Sequence, residues 1–140
     1  MNDYKTCENR ITYRCRYHVV WCSTFRRSVL TEPMTVRIKE LIKEVCDRKN
    51  IQILQLDVTS NTVYIHMDIP PVEAVNTAVR NMKRVTAHTL REEFPELRSR
   101  LPSLWTLHYF ASTEEEFPKE QVKEWLKIQP RYTAKRKKGI

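Results

Sequence analysis

The first strong pattern along the chain is an alternation of apolar and polar side chains over residues 11–22. Successive side chains of a strand point to opposite faces, so this alternation predicts a long β-strand. One predicted face is mostly apolar and consists of Tyr13, Cys15, Tyr17, Val19 and Trp21. The other face is polar and basic and consists of Thr12, Arg14, Arg16 and His18. Such a strand packs its apolar face on a hydrophobic core, and its polar face is directed toward solvent or a binding partner.

Two later segments have the helical period. Residues 34–49 predict an amphipathic helix whose apolar side comprises Val36, Ile38, Leu41, Ile42 and Val45. Residues 72–94 predict the longest helix, with a buried side formed by Val75, Val79, Met82, Val85, Thr89 and Leu90. This second helix also carries a basic stripe, composed of Arg80, Lys83, Arg84 and Arg91.

Between these helices the sequence predicts a β-hairpin, with strands at 51–58 and 62–69 joined by a short turn. Pro70 and Pro71 end the second strand, because proline cannot donate to a strand ladder. The period of two places Thr62, Tyr64 and His66 on one face of that strand. This face is the first candidate for a functional site.

A further strand is predicted at 104–113, and a final helix from about Pro118 to about Ile128. The complete predicted order is β-α-β-β-α-β-α. That order is typical of the α+β class with a ferredoxin-like antiparallel sheet, here with an added C-terminal helix. We expect one domain over residues 1–130, followed by a basic, disordered tail over residues 131–140.

Charge is concentrated in that tail. The net charge of the chain is +8, and the last ten residues carry five basic groups and no acidic one. Without them 20 basic and 17 acidic residues remain. A basic arm attached to a nearly balanced domain is a common arrangement for binding nucleic acid. A tail that only increases solubility is the alternative.

Composition excludes several classes of protein. The only glycine is Gly139, so the chain has no glycine-rich phosphate loop of the kind found in P-loop or dinucleotide-binding proteins. The cysteines, Cys7, Cys15, Cys22 and Cys46, have spacings that suit neither a zinc site nor a secreted disulfide framework. We found no apolar run of membrane-spanning length and no signal-peptide pattern, and we therefore expect a cytoplasmic protein without membrane contact.

Three segments carry a resemblance to a known family. They are Tyr17–Leu30 (YHVVWCSTFRRSVL), Glu93–Leu97 (EFPEL) and Leu104–Phe110 (LWTLHYF). In this order and spacing they resemble the TnpA-type single-tyrosine HUH transposases of the IS-two-hundred-like insertion sequences. The similarity extends from about residue 12 to about residue 129.

This resemblance implies a homodimer with a ferredoxin-like fold that recognises DNA hairpins and cuts and rejoins single-stranded DNA. In the family, a His-hydrophobic-His motif on a central strand and a glutamine on the last helix hold a divalent metal. A tyrosine on that helix attacks the phosphodiester and becomes linked to DNA. The metal polarises the phosphate and the tyrosine is the nucleophile.

Matching these positions to the chain shows what is missing. When the hairpin is aligned with the family without gaps through Pro70–Pro71, the two histidine positions fall on Thr62 and Tyr64. On the last helix, the position of the tyrosine falls on Trp125, and of the family's functional residues only the glutamine is retained, as Gln129. Threonine and tyrosine are poor neutral ligands for a divalent ion, and tryptophan has no nucleophilic oxygen. The resemblance therefore implies a nuclease-dead relative without a metal cofactor, a protein that binds hairpin or single-stranded DNA without cleaving it, with RNA left open. A repurposed regulator would fit.

Two other interpretations stay open. In one, an active transposase or nuclease has a remodelled metal site built on His66, Asp68 and Gln129, with Tyr132 as nucleophile. In the other, the chain is a dimeric scaffold without a nucleic-acid ligand. We also hypothesise that Trp125 plugs the space beside Tyr64 and Thr62 where the metal and phosphate would lie.

The candidate nucleic-acid contacts are basic side chains, because phosphate contacts dominate such binding. Phe25 is a candidate for stacking on a base. The basic candidates are Arg14, Arg16, Arg26, Arg27, Arg80, Lys83, Arg84, Arg91, Lys135, Arg136, Lys137 and Lys138.

Overall fold

The computed structural model describes residues 3–7 and 10–129. Its strands are β1 (Lys5–Thr6), β2 (Thr12–Tyr13), β3 (Arg16–Cys22), β4 (Gln52–Val58), β5 (Thr62–Asp68) and β6 (Phe110–Ser112). Its helices are α1 (Glu32–Arg48), α2 (Val75–Glu93), α3 (Glu96–Arg100) and α4 (Lys119–Lys127), with one 3-10 turn at Thr24–Arg26. No helix in this part of the chain is long and apolar enough to cross a membrane.

Four strands form an antiparallel sheet in the order β4-β5-β3-β6. The two central strands are β3, which comes first in the chain among these four, and β5, which is the second strand of the hairpin. With α1 and α2 as the two crossovers, this is the ferredoxin-like topology, and the predicted fold class is confirmed. The short strands β1 and β2 form a separate antiparallel pair.

The hydrophobic core lies between one face of this sheet and the helices α1 and α2. The sheet contributes alternate residues such as Trp21 and Ile65, and the helices contribute residues such as Ile38 and Met82, all of them buried. Val36 was predicted to belong to this core, but it is 51% exposed. The buried stripe of α1 begins at Met34 instead, and a residue two positions along a helix points to nearly the opposite side.

The first predicted strand is interrupted. Residues 11–22 divide into β2 and β3, and the break lies at Arg14 and Cys15. Here the Cys15 amide donates to Oδ1 of Asp68 at 3.0 Å rather than to a strand partner. A side chain has replaced a ladder acceptor, an event that alternation alone does not reveal.

The last predicted strand is much shorter than expected. Of residues 104–113 only Phe110–Ser112 form β6, while Trp105 makes a single bridge to Ser23. Trp105 is buried, and its Nε1 donates to Oγ1 of Thr86 at 2.9 Å. The carbonyls of Thr106 and His108 accept from Nζ of Lys83 on α2, at 2.6 and 3.3 Å. Residues 106–109 consequently form a loop.

Candidate functional site on the polar face of the sheet

The face of the sheet opposite α1 and α2 collects the polar residues of the two central strands. In the register between β3 and β5, His18 lies opposite His66 and Val20 lies opposite Tyr64. Residues directly opposite each other share a face, so these side chains converge. The predicted common face of Thr62, Tyr64 and His66 is thus present, and His18 joins it.

His18 is the centre of this cluster and is only 2% exposed. Its Nδ1 lies 2.8 Å from the Tyr64 hydroxyl, and its Nε2 lies 3.4 Å from the Glu115 carbonyl oxygen. Because a carbonyl oxygen can only accept, we assign the ring proton to Nε2, and Tyr64 then donates to Nδ1. The His66 ring stacks on His18 with centroids 3.9 Å apart.

The loop before α4 covers the cluster. The Phe117 ring packs edge-on against Tyr64 at 4.8 Å and against His18 at 6.0 Å between centroids. Arg14 donates to the Glu115 carboxylate at 2.8 Å, which fastens the loop to the edge of β3. An aromatic side chain of this loop therefore packs over Tyr64 and His18.

Burial and neighbouring charge act on the ionisable members. Burial lowers the pKa of His66, and the nearby His18, Arg16 and Arg14 lower it further. Burial also raises the pKa of the Tyr64 hydroxyl, with a smaller contribution from the Asp57 carboxylate. Both shifts favour the uncharged forms. The surroundings of His66 and Tyr64 in this hydrogen-bonded stack thus oppose the charged forms of these two side chains.

The three positions matched to the family's metal ligands carry two hydroxyls and one amide, on Thr62, Tyr64 and Gln129. Tyr64 is bonded to His18, and the Thr62 hydroxyl donates to Oδ1 of Asn61 at 2.9 Å. Gln129 is buried, and its Nε2 donates to the Trp125 carbonyl, while its Oε1 has no hydrogen-bond partner among the described residues. One amide oxygen and two engaged hydroxyls are a weak donor set for a hard cation. Across residues 3–7 and 10–129, no three His, Cys, Asp or Glu side chains are grouped to bind a metal.

Trp125 does not plug the site in the predicted way. Its ring packs against Phe110 with centroids 6.0 Å apart, and Phe110 lies across β3 from Tyr64. No ring contact joins Trp125 to Tyr64 in the described part of the chain, where Phe117 is the ring that covers Tyr64. An aromatic ring does pack over Tyr64, but it belongs to Phe117 in the loop before α4, while Trp125 of α4 packs on Phe110.

Asp68, proposed for a remodelled metal site, is fully buried and already engaged. Besides the Cys15 amide, its carboxylate pairs with Nε of Arg16 at 3.4 Å. Binding a cation would require breaking these contacts. His66 remains half-buried on the same strand, and Tyr132 lies outside the described residues.

The basic candidates divide into three groups. Several are engaged by protein oxygens: besides Arg14 and Arg16, Arg26 donates to the Leu126 carbonyl, Arg27 to Arg100, Lys83 to Thr106 and His108, and Arg91 to Leu101. Arg80 and Arg84 are exposed on α2, with Arg84 also donating to Asn81. Lys135, Arg136, Lys137 and Lys138 lie outside the described residues. The predicted stripe on α2 is thus reduced to two outward-facing arginines, because Lys83 is turned inward.

Sequence reasoning did not anticipate the roles of His18, Glu115 and Phe117. Alternation placed His18 on the correct face, and pairing the two central strands would have placed it opposite His66. Phe117 follows three glutamates in a segment without periodicity, and nothing in the local pattern predicts that it folds back over the sheet.

Comparison with known proteins agrees with this fold. The family model described as Transposase IS200 like matches residues 11–129. ISDra2 transposase TnpA of Deinococcus radiodurans is 22% identical over 119 residues, covering 84% of this chain and 85% of the relative. A transposase for insertion sequence element IS200 of Salmonella typhimurium is 23% identical over 115 residues, covering 81% and 75%.

Two solved structures have the same fold. A crystal structure of a proposed transposase from Deinococcus radiodurans R1 superposes with a TM-score of 0.81 at 20% identity, covering 91% of this chain and 99% of the other. The REP-associated tyrosine transposase bound to a REP hairpin superposes with a TM-score of 0.57 at 12% identity, covering 85% and 68%.

Proposed function

The chain belongs to the IS200-like transposase family, and within that family we propose that it is a nuclease-dead member that binds hairpin or single-stranded DNA without cleaving it. The observation that carries this proposal is the hydrogen bond of 2.8 Å between Tyr64 and His18, beneath the Phe117 ring. The position matched to a metal-binding histidine is occupied by a phenol that has a protein partner and a cover. In this proposal, contacts between protein side chains occupy the site instead of a metal ion.

The matched nucleophile position supports the same conclusion. Trp125 is half-buried and packs on Phe110. An indole ring has no oxygen that could attack phosphorus, and its N–H is a donor only. Covalent catalysis of phosphodiester transfer needs a nucleophile that can form and release a phosphoester bond.

DNA binding is supported by family membership and by charge. The net charge is +8, and the exposed face of α2 presents Arg80 and Arg84. A relative of the same fold was solved bound to a REP hairpin. We propose a homodimer with the domain at 1–130 and the basic tail at 131–140 as an additional arm. In the described sheet, β4 has a partner on one side only and β6 likewise, so both edges are open to a second copy.

The test is incubation of the full chain with labelled single-stranded hairpin DNA and magnesium or manganese, followed by denaturing electrophoresis. We expect binding in a native gel and no covalent adduct. An adduct in the denaturing gel would overturn the proposal and favour the remodelled site with Tyr132 as nucleophile. Because Asp68 is occupied by Cys15 and Arg16, we place that alternative second.

A salt titration separates binding from the scaffold alternative. Phosphate contacts release counterions, so affinity should fall linearly on a logarithmic scale as salt increases. Deleting residues 131–140 should reduce the slope by roughly 0.7–0.9 for each phosphate that the tail neutralises in the full chain. Absence of binding to DNA and RNA hairpins at low salt would favour a scaffold, and tighter binding to the RNA hairpin would redirect the ligand to RNA.

A further inference from the structure

The loop between Trp105 and β6 displays an apolar side chain in solvent. Leu107 is 94% exposed, although Leu104 and Trp105, just before it in the chain, are buried. The Thr106 amide donates to the Cys22 carbonyl at 3.1 Å, which joins the loop to the end of β3. A leucine so exposed on a tethered loop is not explained by the core.

Lys83 holds this loop from inside. Its Nζ donates to the carbonyls of Thr106 at 2.6 Å and His108 at 3.3 Å, the residues on either side of Leu107. The Thr106 hydroxyl also donates to the His108 carbonyl at 3.3 Å. With both flanking carbonyls directed at one ammonium group, the Leu107 side chain is held outward.

Leu107 lines two neighbouring cavities, which also share Ser103, Trp105 and Thr106. One, of about 400 Å³, lies between the loop and α2, and Val79 and Tyr109 contribute to its walls. The other, of about 240 Å³, has Phe25 and His108 in its walls. Phe25 has a φ of 59°, a left-handed conformation that is uncommon outside glycine and that concentrates at functional sites.

Charge indicates what these cavities would accept. The residues lining the larger cavity include Arg80, Lys83 and Arg84 and no carboxylate. Tyr109 is the partly exposed aromatic ring of this lining, and such a ring beside exposed guanidinium groups suits an unpaired base with its phosphate. An aliphatic side chain between two stacking surfaces suits insertion between neighbouring bases, as apolar wedges do in other DNA-binding proteins.

We propose that Leu107 is a wedge that inserts between two adjacent unpaired nucleotides next to the hairpin, with one base in the cavity beside α2 and Tyr109 and the other in the cavity beside Phe25. The proposal rests on the proposed DNA binding and adds where and how unpaired bases are held. Arg80 and Arg84 would bind the phosphates beside the larger cavity. The wedge acts on unpaired bases and not on the paired stem.

The test compares the full-length chain with Leu107→Ser and the matched control Val72→Ser. Val72 is also an exposed loop residue, at 59%, but it follows β5 beyond Asp68, whereas Leu107 lies near Cys22 at the other end of the sheet. The probes are a labelled hairpin with a short unpaired flank, carrying 2-aminopurine in the flank, and the same hairpin without a flank. Circular dichroism checks folding, and sedimentation velocity checks self-association.

We expect Leu107→Ser to bind the flanked hairpin roughly 5- to 20-fold more weakly, the low end of the range for removing a base-stacking side chain, and to abolish the 2-aminopurine response. Affinity for the hairpin without a flank should not change, and Val72→Ser should match the wild type with both probes. If the wild type binds and Leu107→Ser matches it on the flanked hairpin, only the wedge fails. If the wild type binds neither probe, the proposed function fails and the wedge fails with it. A change in self-association with unchanged DNA binding would assign the loop to a second copy of the chain and overturn the wedge.

Discussion

The Tyr64 hydroxyl lies 2.8 Å from Nδ1 of His18, and this contact joins the two central strands on the polar face of the sheet. His18 is 2% exposed, so its nitrogen has little access to water as a substitute partner. The contact therefore has a structural value that can be measured separately from any activity.

Tyr64→Phe should lower the free energy of unfolding by about 1–3 kcal/mol, because it leaves a buried nitrogen without its partner. The measurement is urea denaturation. Tyr109→Phe is the matched control, since its hydroxyl donates to Asn76 at 3.1 Å at an exposed site and should matter by less than about 0.5 kcal/mol. Equal destabilisation of the two variants would contradict a buried structural role for Tyr64.

If the chain is nuclease-dead because it lacks the family's two histidines and tyrosine, introducing these three side chains should restore cleavage. The combined variant Thr62→His, Tyr64→His, Trp125→Tyr supplies two imidazole ligands and a phenol nucleophile beside Gln129. We expect a covalent adduct with labelled hairpin DNA that requires magnesium or manganese, detected by denaturing electrophoresis. The variant without Trp125→Tyr is the control and should give none. A folded, DNA-binding combined variant that forms no adduct would show that these replacements are not what prevents cleavage.

Asp68→Asn should destabilise the fold by about 1.5–3 kcal/mol, the usual range for hydrogen bonds to a charged group. The buried carboxylate accepts from the Cys15 amide and pairs with Arg16, and an amide would direct a donor at the guanidinium. Asp57→Asn, at an exposed position on β4, should have little effect on the same denaturation curve. If Asp68→Asn were equally harmless, Asp68 would be free for the remodelled metal site.

His66 should make stability depend on pH. Burial and the nearby His18, Arg16 and Arg14 lower its pKa in the folded chain below the ordinary value of 6.5. Between those two pKa values the unfolded chain binds more protons, so the free energy of unfolding should fall as pH decreases from 6.5 and level off below the folded pKa. Urea midpoints measured across this range should show a shallower fall for His66→Gln than for the wild type. Identical profiles would mean that other groups cause the dependence.

The cysteines should react in two classes. Burial raises the pKa of Cys46 to about 12 and also raises that of Cys22, so neither thiol forms the reactive thiolate readily. Cys7 and Cys15 are partly exposed. Titration with a thiol-specific chromogenic disulfide should modify Cys7 and Cys15 in the native protein, and Cys22 and Cys46 only on unfolding. Fast native modification of Cys46, located by peptide mapping, would contradict its place in the core.

The order of elements could be predicted because each main element carries its own local period. The hairpin strands at 51–58 and 62–69 were placed within one residue, since alternation and the Pro70–Pro71 stop are local signals. The strand at 104–113 was too long because Lys83, a residue of α2, donates to the carbonyls of Thr106 and His108, and only Phe110–Ser112 pair with β3. A local sequence pattern does not show that a side chain on a distant helix will bind the hydrogen-bond acceptors of a strand.

By itself, the sequence determined the ferredoxin-like order and the family, and it led us to match Thr62, Tyr64 and Trp125 to the family's two histidines and its tyrosine, since these depend on residue identity and spacing along the chain. Only the tertiary structure decided which contacts these side chains make. His18 meets Tyr64 across a strand pair, Phe117 folds over both, and Lys83 turns inward to hold the loop that carries Leu107. These are contacts between residues far apart in the chain, and their geometry is set by how the sheet, helices and loops pack together rather than by any local preference.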